Sequence, residues 1–333
     1  MTMTKGKYFL AIATIVAAAL SAAAGQGKKE VNQQWQKCII EAIDSFPEHG
    51  GYYTGGRPSA DFPKTTLHAL HDAYQMRLMD QRPTFDPKKA QPSFCSSATY
   101  AVLIKALLMW DTEGKITRAA WLNMKPYVGI VDYINEKGIG QDDGMGFWGR
   151  ANANGPGIGV LVHELKAGFS ITAYRGAKSE RNKETSKERY MTDEEWTADP
   201  VWDQAEPGDF MKIFWNRNES HGSDCGAIIG CNDNKDDDQE RGHSVIFLGY
   251  EPNGDIRYWS SNGPGKNNKE LGYSVATCPR TRVQRVVFTR VTKPENFNNA
   301  AKMLPTSVNK YLSDLNGKRH STTAELKKMT GAK

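Results

Sequence analysis

Residues 242–262, Gly242-His-Ser-Val-Ile-Phe-Leu-Gly-Tyr-Glu-Pro-Asn-Gly-Asp-Ile-Arg-Tyr-Trp-Ser-Ser-Asn262, read as two strands around a turn. His243–Tyr250 is the most hydrophobic strand-like run in the chain, and Asp255–Ser261 carries Ile, Tyr and Trp, which favour a pleated, half-buried surface. Between them lies Pro252-Asn-Gly-Asp255, and Asn-Gly is the preferred pair for a two-residue hairpin loop. With Asn253 and Gly254 as that loop, residue 262 stands opposite residue 245. Side chains alternate along a strand, so Asn262 shares a face with His243, diagonally across the ladder, and Ser261 points the other way. A slip of one residue exchanges the two.

Outward from this hairpin the pattern continues as strands, at Asp209–Trp215 and Arg282–Arg290. Upstream it is helical. Apolar residues recur at helical spacing in Trp35–Ile43, Thr65–Leu78 and, most strongly, Ser93–Trp110. One or two more helices are expected within 112–137, and another over Ile158–Lys166. Helices first and an antiparallel sheet after is an α+β arrangement.

The longest predicted helix carries the chemistry. Pro92 precedes it, Ser93 is the expected N-cap, and Cys95 falls in the first turn. Free amides and the helix dipole favour a thiolate there. Ala98, Val102, Leu103 and Ala106 form an apolar stripe that anchors the helix behind it. His243, at the entrance of a core strand, supplies a base, and Asn262 accepts its ring N–H. Nucleophile, base and orienting group make an activated thiol. The Cys95 backbone N–H is the natural oxyanion donor, with Gln91, Tyr52 and Tyr53 as candidates for a second.

Four stretches in order resemble the papain-like cysteine hydrolases, and within them the NlpC-type and CHAP-type cell-wall peptidases and amidases. They are Phe94-Cys95-Ser96-Ser97, Glu206-Pro-Gly-Asp-Phe-Met-Lys-Ile-Phe214, Gly242-His-Ser-Val-Ile-Phe-Leu-Gly249 and Tyr258-Trp-Ser-Ser-Asn-Gly263. Tyr52-Tyr-Thr-Gly-Gly56 is similar to a Tyr-x-x-Gly-Gly element ahead of the family's cysteine. The chain departs from the pattern at Phe94, where the family commonly has Asp, and at Ser97, where it has Gly. The resemblance implies a papain-like fold and cleavage of amide or peptide bonds, in peptidoglycan or a peptide, through a thioester on Cys95. An acyl or glutamyl transferase, or a non-catalytic binding protein on the same fold, are the alternatives. No cofactor and no metal are expected.

The rest of the sequence sets the context. Lys5 and Lys7, the apolar run Tyr8–Leu20 and Ser21-Ala-Ala-Ala24 have the layout of a secretory signal peptide over 1–24. The mature protein is expected to be secreted or periplasmic and monomeric, meeting a membrane only through an uncleaved signal. The hydrolase domain is expected over 25–294, with insertions at roughly 112–200 and 216–241. A basic tail follows over 295–333, with six Lys and one Arg from residue 301 against Asp314 and Glu325; it reads as solvated and mobile. The formal charge of +5 includes that tail, and no basic stripe with interleaved aromatics appears, so nucleic acid is excluded as a partner. Of five cysteines, Cys225 and Cys231 could close a small ring and Cys38 could join Cys278, leaving Cys95 as the odd thiol. His68 and His71 read as helix-surface residues, His163-Glu164 and His221 as non-ligating, and Asn232–Asp238 as a solvated acidic loop.

Overall fold

The computed structural model describes residues 32–54, 58–126, 157–176, 190–215, 242–263, 271–303 and 322–333, with the backbone of a small strand pair at 134–135 and 138–139. The expected signal peptide, Cys225, Cys231, His221 and the acidic loop lie outside the described residues. Six strands form one antiparallel sheet: β1 (Gly168–Tyr174), β2 (Phe210–Trp215), β3 (Gly242–Tyr250), β4 (Ile256–Ser261), β5 (Tyr273–Cys278) and β6 (Val283–Val291). Their order across the sheet is β1-β6-β2-β3-β4-β5. The helices are α1 (32–44), α2 (Thr66–Ala73), α3 (Cys95–Trp110), α4 (Arg118–Asn123), α5 (Ile158–Glu164), α6 (Asp193–Thr197) and α7 (Thr323–Thr330). The chain is therefore mixed helix and sheet, α+β, with an antiparallel sheet.

Both faces of the sheet are covered, which is why β2 is buried at every position. One face packs on α1 and α3 through Phe210, Ile246 and Trp259. The other packs through Met211, Ile213, Val245 and Phe247 against Trp196 and Trp202. Neighbouring residues of one strand thus enter two different cores. Cys38 lies in the first core and Cys278 in the second, so the expected Cys38–Cys278 bridge is not made: the sheet stands between them.

Helix α3 is buried almost all round, with only Lys105 and Met109 partly exposed. The apolar stripe expected from the sequence is a full cylinder, as suits the central helix of a large core. Its cap also differs from expectation. Phe94 is the N-cap, and Ser97 closes the first turn by accepting from Phe94 N at 2.9 Å and donating to Phe94 O at 2.8 Å. Ser93 cannot cap because its backbone is used elsewhere: its N–H donates to Gly51 O and its carbonyl accepts from Tyr53 N. Cys95 is consequently the first helical residue, where backbone N–H groups have no partner within the helix.

Three other expectations change. The helix expected over 65–78 ends at Ala73, where the chain enters a short hairpin pairing Tyr74 with Phe85. The segment 112–200, expected as an insertion, contributes β1, paired with β6 from Gly168 to Tyr174. The 295–333 segment is not simply a solvated tail. Pro294–Lys302 forms a 3₁₀ helix with Phe297 fully buried, and α7 buries Leu326 against Phe214 and Val287.

Candidate active site

The turn between β3 and β4 decides which polar residue meets His243. Its loop has three residues rather than two. Glu251 N–H donates to Asp255 O at 2.9 Å, Gly254 N–H donates to Glu251 O at 2.8 Å, and Gly254 has φ +85°. A left-handed third residue is what such a loop needs, and glycine supplies it without steric cost. This register pairs Tyr250 with Ile256 and Gly249 with Arg257. Continued unchanged, it would put Ser261 on the face of His243 and turn Asn262 away. A bulge at Leu248 shifts the ladder once more, to Phe247 with Tyr258 and Ile246 with Trp259. The two single-residue shifts restore the parity expected from the sequence, and residue 262 now comes directly opposite residue 243.

His243 Nε2 and Asn262 Oδ1 are 2.8 Å apart, with the two residues 5% and 3% exposed. The amide orientation is fixed by its other end. Asn262 Nδ2 donates to Ser274 O at 3.0 Å and contacts Ser274 Oγ at 2.9 Å. Only the amide nitrogen can donate to a carbonyl, so Oδ1 must face the histidine and Nε2 must carry a proton. The ring stacks on Trp215 at 6.4 Å and meets Tyr258 edge-on at 5.7 Å. Its remaining nitrogen, Nδ1, is left to act as an acceptor. Ser261 lies elsewhere, accepting from Ser93 Oγ at 2.8 Å.

Cys95, 3% exposed, hydrogen-bonds to the His243 side chain, and its sulfur also accepts from the Ser244 backbone N–H. Burial by itself raises a thiol's pKa. Here it is outweighed by His243, by the nearby Lys212 ammonium and by the Ser244 N–H, which together bring Cys95 down to about 7. The three residues singled out from the sequence are therefore one connected relay, running from sulfur through imidazole to amide and on to Ser274.

The second-donor candidates separate. Residues 49–53 run between β5 and the approach to α3: His49 exchanges backbone bonds with Tyr273, and Tyr52 bridges to Ser93. That path carries Tyr52 to Cys95, and burial, reinforced by the thiolate charge, holds the phenol above its ordinary range, hence protonated. Tyr53 instead packs at a tilt against Phe62, with ring centroids 4.8 Å apart. Gln91 lays its carboxamide over Gly50. Two participants were not found from the sequence. Ser274 left no signal there. Lys212 did, as the one charge inside the apolar run Phe210-Met-Lys-Ile-Phe-Trp215.

Elsewhere, His68 Nδ1 lies 2.9 Å from Thr65 Oγ1 at the N-cap of α2, and His71 lies beside Asp72. Among the described residues no group of three or more His, Cys, Asp or Glu side chains could hold a metal ion. No described helix is long and apolar enough to cross a membrane. A scan of protein-family models, a search of curated proteins and a search of solved structures find no match to this chain.

Proposed function

We propose that this chain is an exported cysteine hydrolase of papain-like fold that cleaves amide bonds, with peptidoglycan peptides as its substrate class. The observation that carries the reading is the Cys95–His243–Asn262 relay, with the amide of Asn262 locked by Ser274. In this mechanism His243 Nδ1 takes the Cys95 proton as the sulfur attacks a carbonyl. Asn262 holds the ring in the tautomer that leaves Nδ1 free. Charge developing on the carbonyl oxygen is met by the Cys95 backbone N–H at the helix start and by the protonated Tyr52 hydroxyl. The imidazolium then protonates the leaving amine, and water releases the acyl group from the thioester. The peptidoglycan preference rests on the motif order around Cys95 and His243 and on the export layout of residues 1–24.

The test is incubation of the protein with purified peptidoglycan of several wall types and mass spectrometry of the released fragments. Wild type is expected to release fragments with newly cut amide bonds, and Cys95→Ala none. Equal release by both proteins would remove Cys95 from the chemistry. Silence on every wall type would overturn the substrate class.

A further inference from the structure

Lys212 is the only charged residue of β2, and it is 2% exposed. Burying an ammonium is costly, and lysine is rarely found inside a protein without a partner for its charge. A residue that merely filled this space would be better served by methionine. The placement of Lys212 is specific. In the sheet it stands opposite Ser244, and its Nζ is 3.5 Å from Ser244 Oγ. The backbone N–H of that same Ser244 donates to the Cys95 sulfur. One residue of β3 therefore links the cation to the nucleophile. A Cβ at Gly242 would first meet the Ile213 carbonyl oxygen, at 2.4 Å, and would also stand 2.8 Å from Lys212 Cε, so the glycine lets β3 and the lysine stem lie close. A cavity of about 10 Å³ lies between Lys212, Ser244, Thr99 and Gly157. It has the size and the polar lining for one water to complete the ammonium's hydrogen bonds.

We infer that Lys212 is a positioning residue whose buried ammonium, set opposite Ser244, favours the anionic, nucleophilic form of Cys95. The titratable groups that act on Cys95 are His243 from β3, Lys212 from β2 and Tyr52 from the 49–53 segment. A cation beside the sulfur favours its charged form, so Lys212 extends to lower pH the range over which Cys95 is a thiolate. The inference rests on Cys95 being the nucleophile for its purpose. The ionisation it concerns is readable without any substrate.

The experiment is alkylation of Cys95 by iodoacetamide in the full chain as a function of pH, followed on the Cys95 peptide by mass spectrometry. In the wild type the rate is expected to climb through pH about 7. Lys212→Met is expected to move that limb up by about one pH unit, so that alkylation at pH 6 slows roughly tenfold. Lys212→Arg keeps the cation and should keep the wild-type limb. Lys212→Gln, which retains a polar end for Ser244 Oγ, is a second neutral variant, and near-UV circular dichroism reports native packing in each. Neutral variants that keep native packing yet alkylate within twofold of wild type at pH 6 would overturn the inference. A shifted limb in a protein that cuts no peptidoglycan would sink the hydrolase reading and leave the role of Lys212 standing. Cleavage with an unmoved limb would do the opposite.

Discussion

The two ends of strand β2 each bury a polar cluster, and the clusters are built on opposite principles. At the start of β2, Asp209 is 2% exposed and takes a two-pronged contact from Arg290, at 2.8 and 2.7 Å, while Glu206 meets the same guanidinium at 2.6 Å. Toward its other end lie Cys95, His243, Asn262 and Lys212, buried as deeply. Burial pushes the Asp209 carboxyl up and the Arg290 contacts only partly offset this. Burial also pushes Cys95 up, yet there the cations win. The Asp209 end has fixed charges in a fork geometry, which ties β6 to β2 and leaves no proton to move. In the proposed mechanism the Cys95 end instead passes one proton between Cys95 and His243.

The largest expected effect breaks the first cluster. Arg290→Met strands a buried carboxylate and should cost about 3–5 kcal/mol in urea unfolding at neutral pH, with Cys95 alkylation unchanged after refolding. A loss below about 1 kcal/mol, as for an exposed ion pair, would erase the distinction between the two ends. Next, Tyr52→Phe should lower kcat about 10²- to 10³-fold while leaving KM nearly unchanged, as expected for a lost oxyanion donor. A change confined to KM would reassign Tyr52 to substrate binding. Asn262→Ala should lower kcat about 10²-fold by releasing the His243 ring. Ser261→Ala should leave kcat intact and cost about 1 kcal/mol of stability, through the lost hydrogen bond with Ser93. If Ser261→Ala proves the slower enzyme, the bulge at Leu248 does not set the register.

What could be read from the residues follows the depth of burial. The four inner strands, β2, β3, β4 and β6, announce themselves as apolar runs because both of their faces are covered. The two strands that were missed, β1 and β5, are the two edges of the sheet. Their positions are mostly partly buried or exposed, so their sequences carry a weak pattern. Helix α3 was legible because it is long and mostly apolar, but its cap was not. Ser93 has the right side chain for an N-cap, and a bridge to Tyr52 withdraws it from that role. The helix over Thr65–Leu78 was overextended because helical spacing persists past Ala73, where the chain instead turns into the Tyr74–Phe85 hairpin.

The sequence by itself determined that Cys95 lies in the first turn of the strongest helix and that His243 opens the most hydrophobic strand. Both follow from local pattern, which needs no knowledge of the rest of the chain. Tertiary structure alone decided that Asn262, and not Ser261, meets the histidine. The Asn-Gly signal gave a two-residue loop, whereas the chain makes a three-residue loop and then a bulge, and two shifts of one residue cancel. A bulge is set by how the strand must bend to pack on both cores, a demand that no short stretch of sequence records. For the same reason the role of Lys212 was hidden. Its charge was visible in an apolar run, but only the pairing of β2 with β3 places it beside the sulfur.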